Sequence, residues 1–215
     1  DVTFRARSDL TVMCLSEPTK LGRFPTPTWC QTGPAWPKEC YAHLEPIQPA
    51  QLIVVPVSDA IEFIEATEGN TTLLDSDYWN LLQIRHGIAS VTASTSGLFT
   101  PQNLNLDLIS GVSFTKGCYP GQEIVARLRY LGRVKQRLLR GRIQGPGEVR
   151  VGQSVSLDDT RDKKVGVIVN ASALAGVKTE CLLSVSGFLE VENVYCYKDQ
   201  CTEQITTLPL PYPLQ

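Results

Sequence analysis

Cys118 lies between Lys116 and PGQEIVARLRY (residues 120–130), a segment whose Pro120 and Gly121 suit the start of a helix. Glu123, in what would be the first turn, complements the helix dipole. A cysteine just upstream of a helix N-terminus faces backbone N–H groups that stabilise an anion, and Lys116 and Arg127 supply positive charge close by in sequence. All three influences favour thiolate over thiol, and the thiolate is the nucleophile and metal ligand. The chemistry on offer is that of a reactive, redox-active or cluster-facing thiol. The competing reading is a small buried residue in the turn before a helix, with Lys116 a solvated charge. His43 and His86 lie far from Cys118 in sequence and neither sits in a motif, so a Cys–His hydrolase is not indicated.

A second candidate is Trp79, whose indole offers a flat apolar face and a polar N–H edge to a ring-shaped ligand, or else packs as a helix-face core residue. The third is a run of charge. Residues 116–142 hold eight basic side chains (Lys116, Arg127, Arg129, Arg133, Lys135, Arg137, Arg140 and Arg142) against the single acid Glu123. Such a stretch suits carboxylates or phosphates, and equally a solvated strand face. Aromatic interleaving is limited to Tyr119 and Tyr130, which argues against direct tRNA contact through stacked bases.

The elements that must position these residues follow from periodicity. The opening residues alternate apolar and polar, with Val2, Phe4 and Ala6 on one face, so the chain is read as beginning at a strand and as the remainder of a longer protein. Residues 16–50 carry seven of the fourteen prolines and are read as an irregular excursion, neither sheet nor helix. QLIVVPV (51–57) reads as a buried strand. Asp59 with Glu62 forms a capping box for a helix through about residue 67, with Ile61, Phe63 and Ile64 as its apolar stripe. A second helix begins at Asp75 or Ser76 and carries Trp79, Leu82 and Ile84 toward Gly87. The stretch over 89–121 is loop-rich, with one helical turn expected at 104–108. A third helix follows from Gly121, with Ile124, Leu128 and Leu131 as its stripe.

From Lys135 the pattern changes to short alternating runs separated by turn signals, the spacing of a small antiparallel barrel or sandwich. The fold class is therefore α+β followed by all-β, with a boundary between residues 1–132 and 133–215. Composition permits this: 215 residues, 42% hydrophobic and 20% charged, make one large or two small globular domains. A net charge of −2 supplies no global attraction to nucleic acid or membrane. No apolar run is long enough to span a bilayer and no signal peptide opens the chain, so a cytoplasmic location is expected. The seven cysteines include no C-x-x-C pair, which leaves neither a disulfide framework nor a metal site indicated; Cys30 with Cys40, and Cys196 with Cys201, are the pairings an oxidising compartment would allow.

FTPQNLNLD (99–107) followed by GVSFTKGCYPGQEIVAR (111–127) resembles the signature of the YgfZ family, folate-binding relatives of the glycine cleavage T-protein, an aminomethyltransferase. The tail TLPLPYPL (207–214) is similar to that family's ending. The resemblance implies a T-protein-like folate-binding α+β core, partial here because an N-terminal portion is lacking, with a C-terminal six-stranded β-barrel. It implies tetrahydrofolate as cofactor, iron-sulfur client enzymes such as a MiaB-type tRNA methylthiotransferase as partners, and an accessory role in cluster assembly or repair and, through it, tRNA modification. Cys118 and Lys116 become the functional pair, Trp79 the folate-binding residue, and Gly117, Tyr119, Gly121, Gln122, Glu123 and Arg127 the motif loop. Where the T-protein carries a folate-contacting glutamate in an R-L-E-A-G-like stretch, this chain has QIRHG, with Arg85 or His86 at that place. The substitution argues against aminomethyl transfer and against a conventional turnover enzyme. A tetrahydrofolate-dependent one-carbon transferase and an RNA-binding module remain the alternatives.

Overall fold

A computed structural model describes residues 8–15, 42–47, 50–66, 72, 74–143, 149–157, 163–173, 178–188, 193–198 and 201–214. The chain divides into two compact units, Asp1–Leu74 and Asp75–Gln215.

The first unit is a three-stranded antiparallel sheet with one helix. Strand β3 (Ala50–Pro56) lies between β1 (Leu10–Leu15) and β2 (Ala42–Ile47). Period-2 alternation puts Ile53 and Val55 on the same face of β3, both fully buried, with Met13 opposite Ile53 in the register. Helix α1 (Val57–Ala66) follows β3 without a loop and closes this small core with Ala60 and Phe63, three residues apart. The Val57 amide donates to the Asp9 carbonyl at 3.0 Å, which fixes the corner.

Three expectations are corrected here. The helix begins at Val57, so Asp59 sits inside the first turn and is not its cap. The proline-rich excursion contains strand β2; it tolerates Pro46 because the β2–β3 register shifts between Leu44 and Ile47, where a missing N–H breaks no ladder bond. Ile61 and Ile64 are exposed, and Ala60 with Phe63 forms the inward stripe. The alternation over residues 2–6 and most of the proline-rich segment lie outside the described residues.

The second unit is built around a closed six-stranded barrel: β4 (Gln136–Ile143), β5 (Ser154–Ser156), β6 (Lys164–Ser172), β7 (Glu180–Ser186), β8 (Asn193–Lys198) and β9 (Cys201–Leu208), in the order β4-β7-β6-β5-β8-β9. Each strand pairs on both sides around the circumference, although β9 covers only the Arg140–Ile143 part of its edge of β4. Leu139, Ile143, Val155, Ile168, Cys181, Leu183, Val185, Val194, Cys196 and Ile205 fill the interior. The alternate residues of β4 and β7 face outward, and Leu138 and Leu182 join Ile84, Leu104 and Val169 in a second core on the barrel's outer wall. Val169 faces outward by alternation with the inward Ile168, and a bulge at that point shifts the β6–β7 register so that Asn170 takes the place opposite Leu182.

Helix α2 (Ser76–Arg85) covers that wall. Asp75 caps it by accepting from the amides of Asp77 and Tyr78, as its type predicts. Gly87 ends the helix with φ +66°. Within the expected stretch over 104–108 the Leu108 amide donates to the Asn105 carbonyl at 2.9 Å, closing a turn; it follows a 3-10 helix at Pro101–Leu104, where Pro101 fixes the start and the Asn103 side chain accepts from the Thr100 amide and hydroxyl. Helix α3 (Gln122–Tyr130) starts at Gly121, which takes φ +82°. Its one buried residue is Val125; Ile124 is 62% exposed and Leu131 85%, so the expected Ile124–Leu128–Leu131 stripe is not the inward face.

Candidate functional site

The segment carrying the motif is held against β4 by side chains doing the work of a strand. Strand β9 pairs with β4 only over Arg140–Ile143, so the same edge of β4 is open from Gln136 to Leu138. Asn105 fills it: its side-chain amide donates to the Leu138 carbonyl at 2.9 Å and its side-chain oxygen accepts from the Leu138 amide at 3.1 Å. Asn103 donates to the Gln136 carbonyl at 3.2 Å. Asp107 takes an ion pair from Arg137 at 2.7 Å, with both side chains almost wholly buried, and Arg137 also donates to the Gln102 carbonyl. The alternating polar positions of NLNLD are thus the anchors, each two residues from the next. Their period of two is the signal of this role that the sequence carries; the strand edge it fits is visible only in the fold.

From that anchored turn, Gln102 reaches α3. Its buried side-chain amide donates to the Val125 carbonyl at 2.7 Å, so the helix is fixed by a polar clamp more than by apolar packing. At the other end of α3, the Gln122 side-chain oxygen accepts from the Tyr119 amide at 3.2 Å and the Gln122 amide donates to the Tyr119 carbonyl at 3.3 Å. These bonds set the turn that presents Cys118.

Cys118 is a free, exposed thiol. A Cβ added at Gly117 or Gly121 would meet nothing within 4 Å, so the loop around the thiol is open to an approaching partner. The ammonium of Lys116 lies 4.5 Å from the centre of the Tyr119 ring, a cation–π arrangement. Glu123 occupies the first turn of α3, and Arg127 the last turn, where a cation complements the dipole. Arg129 stacks 5.2 Å over Phe114, whose ring also meets Tyr130 edge-on.

Trp79 sits elsewhere, half-buried on α2 beside the buried Leu81, Leu82 and Ile84. No hydrogen bond, ion pair or ring contact among the described residues joins it to the motif loop. Arg85, at the end of the same helix, donates to Glu180 of β7 through Nε and Nη2, and Arg140 makes a second pair of bonds to the same carboxylate. Burial alone would raise the pKa of Glu180, yet the hydrogen bonds and charges of Arg140 and Arg85 hold it below the ordinary carboxylate value. The basic stretch is therefore partly spent inside the fold: Arg137 on Asp107 and Arg140 on Glu180, while Arg142 reaches the same carboxylate only at 3.5 Å and stays partly exposed.

The other two free cysteines among the described residues are inert by contrast. Burial pushes the Cys196 thiol up to about 11 and raises that of Cys181 further. Cys196 is not bonded to Cys201; Cys30 and Cys40 fall outside the described residues. Among the described residues no three His, Cys, Asp or Glu gather as a metal site, and no helix is long and apolar enough to cross a membrane.

The fold is T-protein-like. The crystal structure of the glycine cleavage system aminomethyltransferase T from Bartonella henselae matches 75% of this chain and 46% of its own length, with a TM-score of 0.56 at 13% identity. In sequence the chain is homologous to proteins named tRNA-modifying protein YgfZ: 30% identical over 165 residues to that of Serratia proteamaculans, and 35% over 170 residues to that of Edwardsiella ictaluri. These alignments take in 76% and 77% of this chain and 50% of each relative, so the chain spans about half the length of the curated relatives it matches. The resemblance to the YgfZ family carried by the KGCYPGQE motif is borne out. No protein-family model matches the chain.

Proposed function

We propose that this protein acts in tRNA modification as a folate-binding accessory factor of the cytoplasm, supporting the assembly or repair of iron-sulfur enzymes, with Cys118 as its functional thiol. The observation that carries the reading is the placement of that thiol. It is exposed on an open turn whose two ends are fixed, at the anchored 101–107 segment and at the Tyr119–Gln122 bonds. A structural cysteine would have been buried, as Cys181 and Cys196 are. Similarity to proteins named for tRNA modification supplies the context.

Trp79 fits a pterin ring in one respect: it is half-buried, so part of the indole remains available for stacking while the rest is fixed by the helix. Bound tetrahydrofolate would supply a one-carbon or redox-active pterin; the chain's own part is to hold the ring at Trp79 and to present Cys118 and Lys116 on the motif loop. One-carbon transfer to the folate is the weaker reading. Arg85 or His86 stands where the T-protein resemblance puts a carboxylate, and Arg85 is engaged with Glu180, so neither side chain at that place offers an acid to a folate amine. An RNA-binding module is weaker still, because Arg137 and Arg140 are covered and paired internally and only Tyr119 and Tyr130 could stack on bases.

The test is tetrahydrofolate titration of the intact gene product, followed by tryptophan fluorescence, for wild type, Trp79→Ala and Cys118→Ala. Loss with Trp79→Ala and retention with Cys118→Ala is the expected pattern, and methylthiolated tRNA should fall in cells carrying only Cys118→Ala. Absence of binding in every version would remove folate from the proposal. Formation of methylene-tetrahydrofolate from an aminomethyl donor in a single turnover would replace it with the transferase reading.

A further inference from the structure

Glu180 is the first residue of β7 and pairs with Arg142 of β4 across the ladder. Its side chain is 1% exposed, and three guanidiniums converge on it: Arg140 on Oε2 at 2.7 Å, Arg85 on Oε1 at 3.1 Å, and Arg142 on Oε1 at 3.5 Å. They reach it from two elements. Arg140 and Arg142 are two apart on the outward face of β4, and Arg85 comes from the last turn of α2, 95 residues before Glu180. One carboxylate cannot balance three guanidiniums, which leaves two positive charges fixed on the barrel wall.

The three arginines do not share the carboxylate equally. Arg140 is committed, with Nε and Nη2 both on Oε2 and its side chain mostly covered. Arg85 and Arg142 are 41% and 42% exposed. Arg85 uses only Nε and Nη2, and Arg142 only Nη2 at the outer limit of a hydrogen bond, so the remaining N–H groups of both have no partner among the described residues. A buried carboxylate that orients exposed guanidiniums and fails to neutralise them is poor economy for stability alone. It is a sound way to preorganise an anion receptor, since the guanidinium fork matches the oxygens of a phosphate two at a time.

We infer that Arg85 and Arg142, oriented by Glu180 and Arg140, form a binding site for a dianionic phosphate group. A phosphate monoester carries a charge of about −1.5 to −2 at neutral pH and so matches the uncompensated charge, whereas a single carboxylate or one backbone phosphodiester would leave about half of it unmet. The group can belong to a phosphorylated small molecule or to the terminal phosphate of an RNA. Arg85 lies six residues from Trp79 on α2; the phosphate site uses neither Trp79 nor Cys118 and holds whether or not folate binds.

Inorganic phosphate is the first probe. Thermal unfolding of the intact gene product in about 20 mM phosphate, against chloride of equal ionic strength and against L-glutamate, should show a rise of a few degrees with phosphate only. Arg142→Gln, which removes the weakest bond to Glu180, should fold normally yet bind phosphate at least tenfold more weakly by calorimetry. Arg85→Gln serves as the second variant. A 5′-phosphorylated RNA oligonucleotide binding tenfold or more above its 5′-hydroxyl twin assigns the group to an RNA end; equal binding of the two, with the phosphate response kept, assigns it to a small molecule. Coincident midpoints in phosphate and chloride, an equal response to glutamate, or undiminished binding by a folded Arg142→Gln would overturn the inference.

Discussion

The side chain of Asn105 and the backbone of Leu138 exchange two hydrogen bonds, 2.9 and 3.1 Å long, in place of the strand that the edge of β4 lacks at that point. Asn105 is fully buried and holds φ +57°, a left-handed conformation that asparagine adopts more readily than other residues with a Cβ. Among the anchors of this segment, Asn105 thus serves through both its backbone and its side-chain amide.

Asn105→Ala should cost about 2–4 kcal/mol, since it strands the buried N–H and C=O of Leu138 and keeps the unfavourable φ. Urea unfolding monitored by far-ultraviolet dichroism would show the lower midpoint. Asn105→Gly, which relieves the backbone but still loses both bonds, should recover roughly 1 kcal/mol of that loss. Equal stability of the two variants would mean that the left-handed backbone contributes nothing.

How far the fold is legible in the sequence depends on the range of the forces that set it. The barrel strands can be read because each alternates over a few residues between turn signals, a local pattern, and the cap Asp75 and stop Gly87 of α2 are equally local. The inward face of α3 cannot be read that way, because it is set by Gln102 clamping the Val125 carbonyl from 23 residues away and not by the most apolar stripe. Strand β2 hides in a proline-rich segment because its pairing tolerates a register shift. Periodicity marks residue 133 as the approach to the barrel strands, while the compact unit around them starts at Asp75, drawn in by packing that no short window contains. In the candidate site, the KGCYPGQE motif and Trp79 stand out by residue type; the Arg85–Glu180 bond joins positions 95 apart and is invisible without coordinates.

Glu180→Gln should destabilise the protein by about 3–5 kcal/mol at neutral pH, because it leaves the largely covered Arg140 without its counter-charge. The wild-type protein should show the matching acid sensitivity. The folded pKa of Glu180 is depressed, so its stabilisation is present above the unfolded carboxylate value and disappears as pH falls from about 5 through the folded value. Unfolding midpoints measured from pH 7 down to pH 3 should therefore fall more steeply for wild type than for Glu180→Gln. Parallel curves would show that the carboxylate is not what the arginines hold.

Tyr212, in the C-terminal tail, donates from its hydroxyl to the Gly87 carbonyl at 2.7 Å and approaches the Asn105 amide at 3.5 Å, linking the tail to the end of α2 and to the anchored turn. A Cβ at Gly87 would lie 2.6 Å from that hydroxyl oxygen, besides straining a residue at φ +66°. Tyr212→Phe should cost about 1–3 kcal/mol through the unpaired carbonyl, and Gly87→Ala at least about 1–2 kcal/mol. The double variant should lose less than the sum, because each change damages the same contact. Strict additivity in a urea double-mutant cycle would show that the two residues are not coupled.

Iodoacetamide at neutral pH should label Cys118 in the folded protein well before Cys181 or Cys196. The difference has two physical sources: Cys118 is exposed, and burial keeps the other two thiols protonated, that of Cys196 with a pKa of about 11. Mass-spectrometric mapping of a timed reaction would show Cys118 modified first and the barrel cysteines modified only when denaturant opens the core. If tetrahydrofolate or a client enzyme uses the motif loop, adding it should slow the labelling of Cys118 and leave the other two unchanged. Labelling of Cys118 no faster than that of the buried pair would mean that the loop closes over the thiol in solution, and the case for Cys118 as the functional group would fall with it.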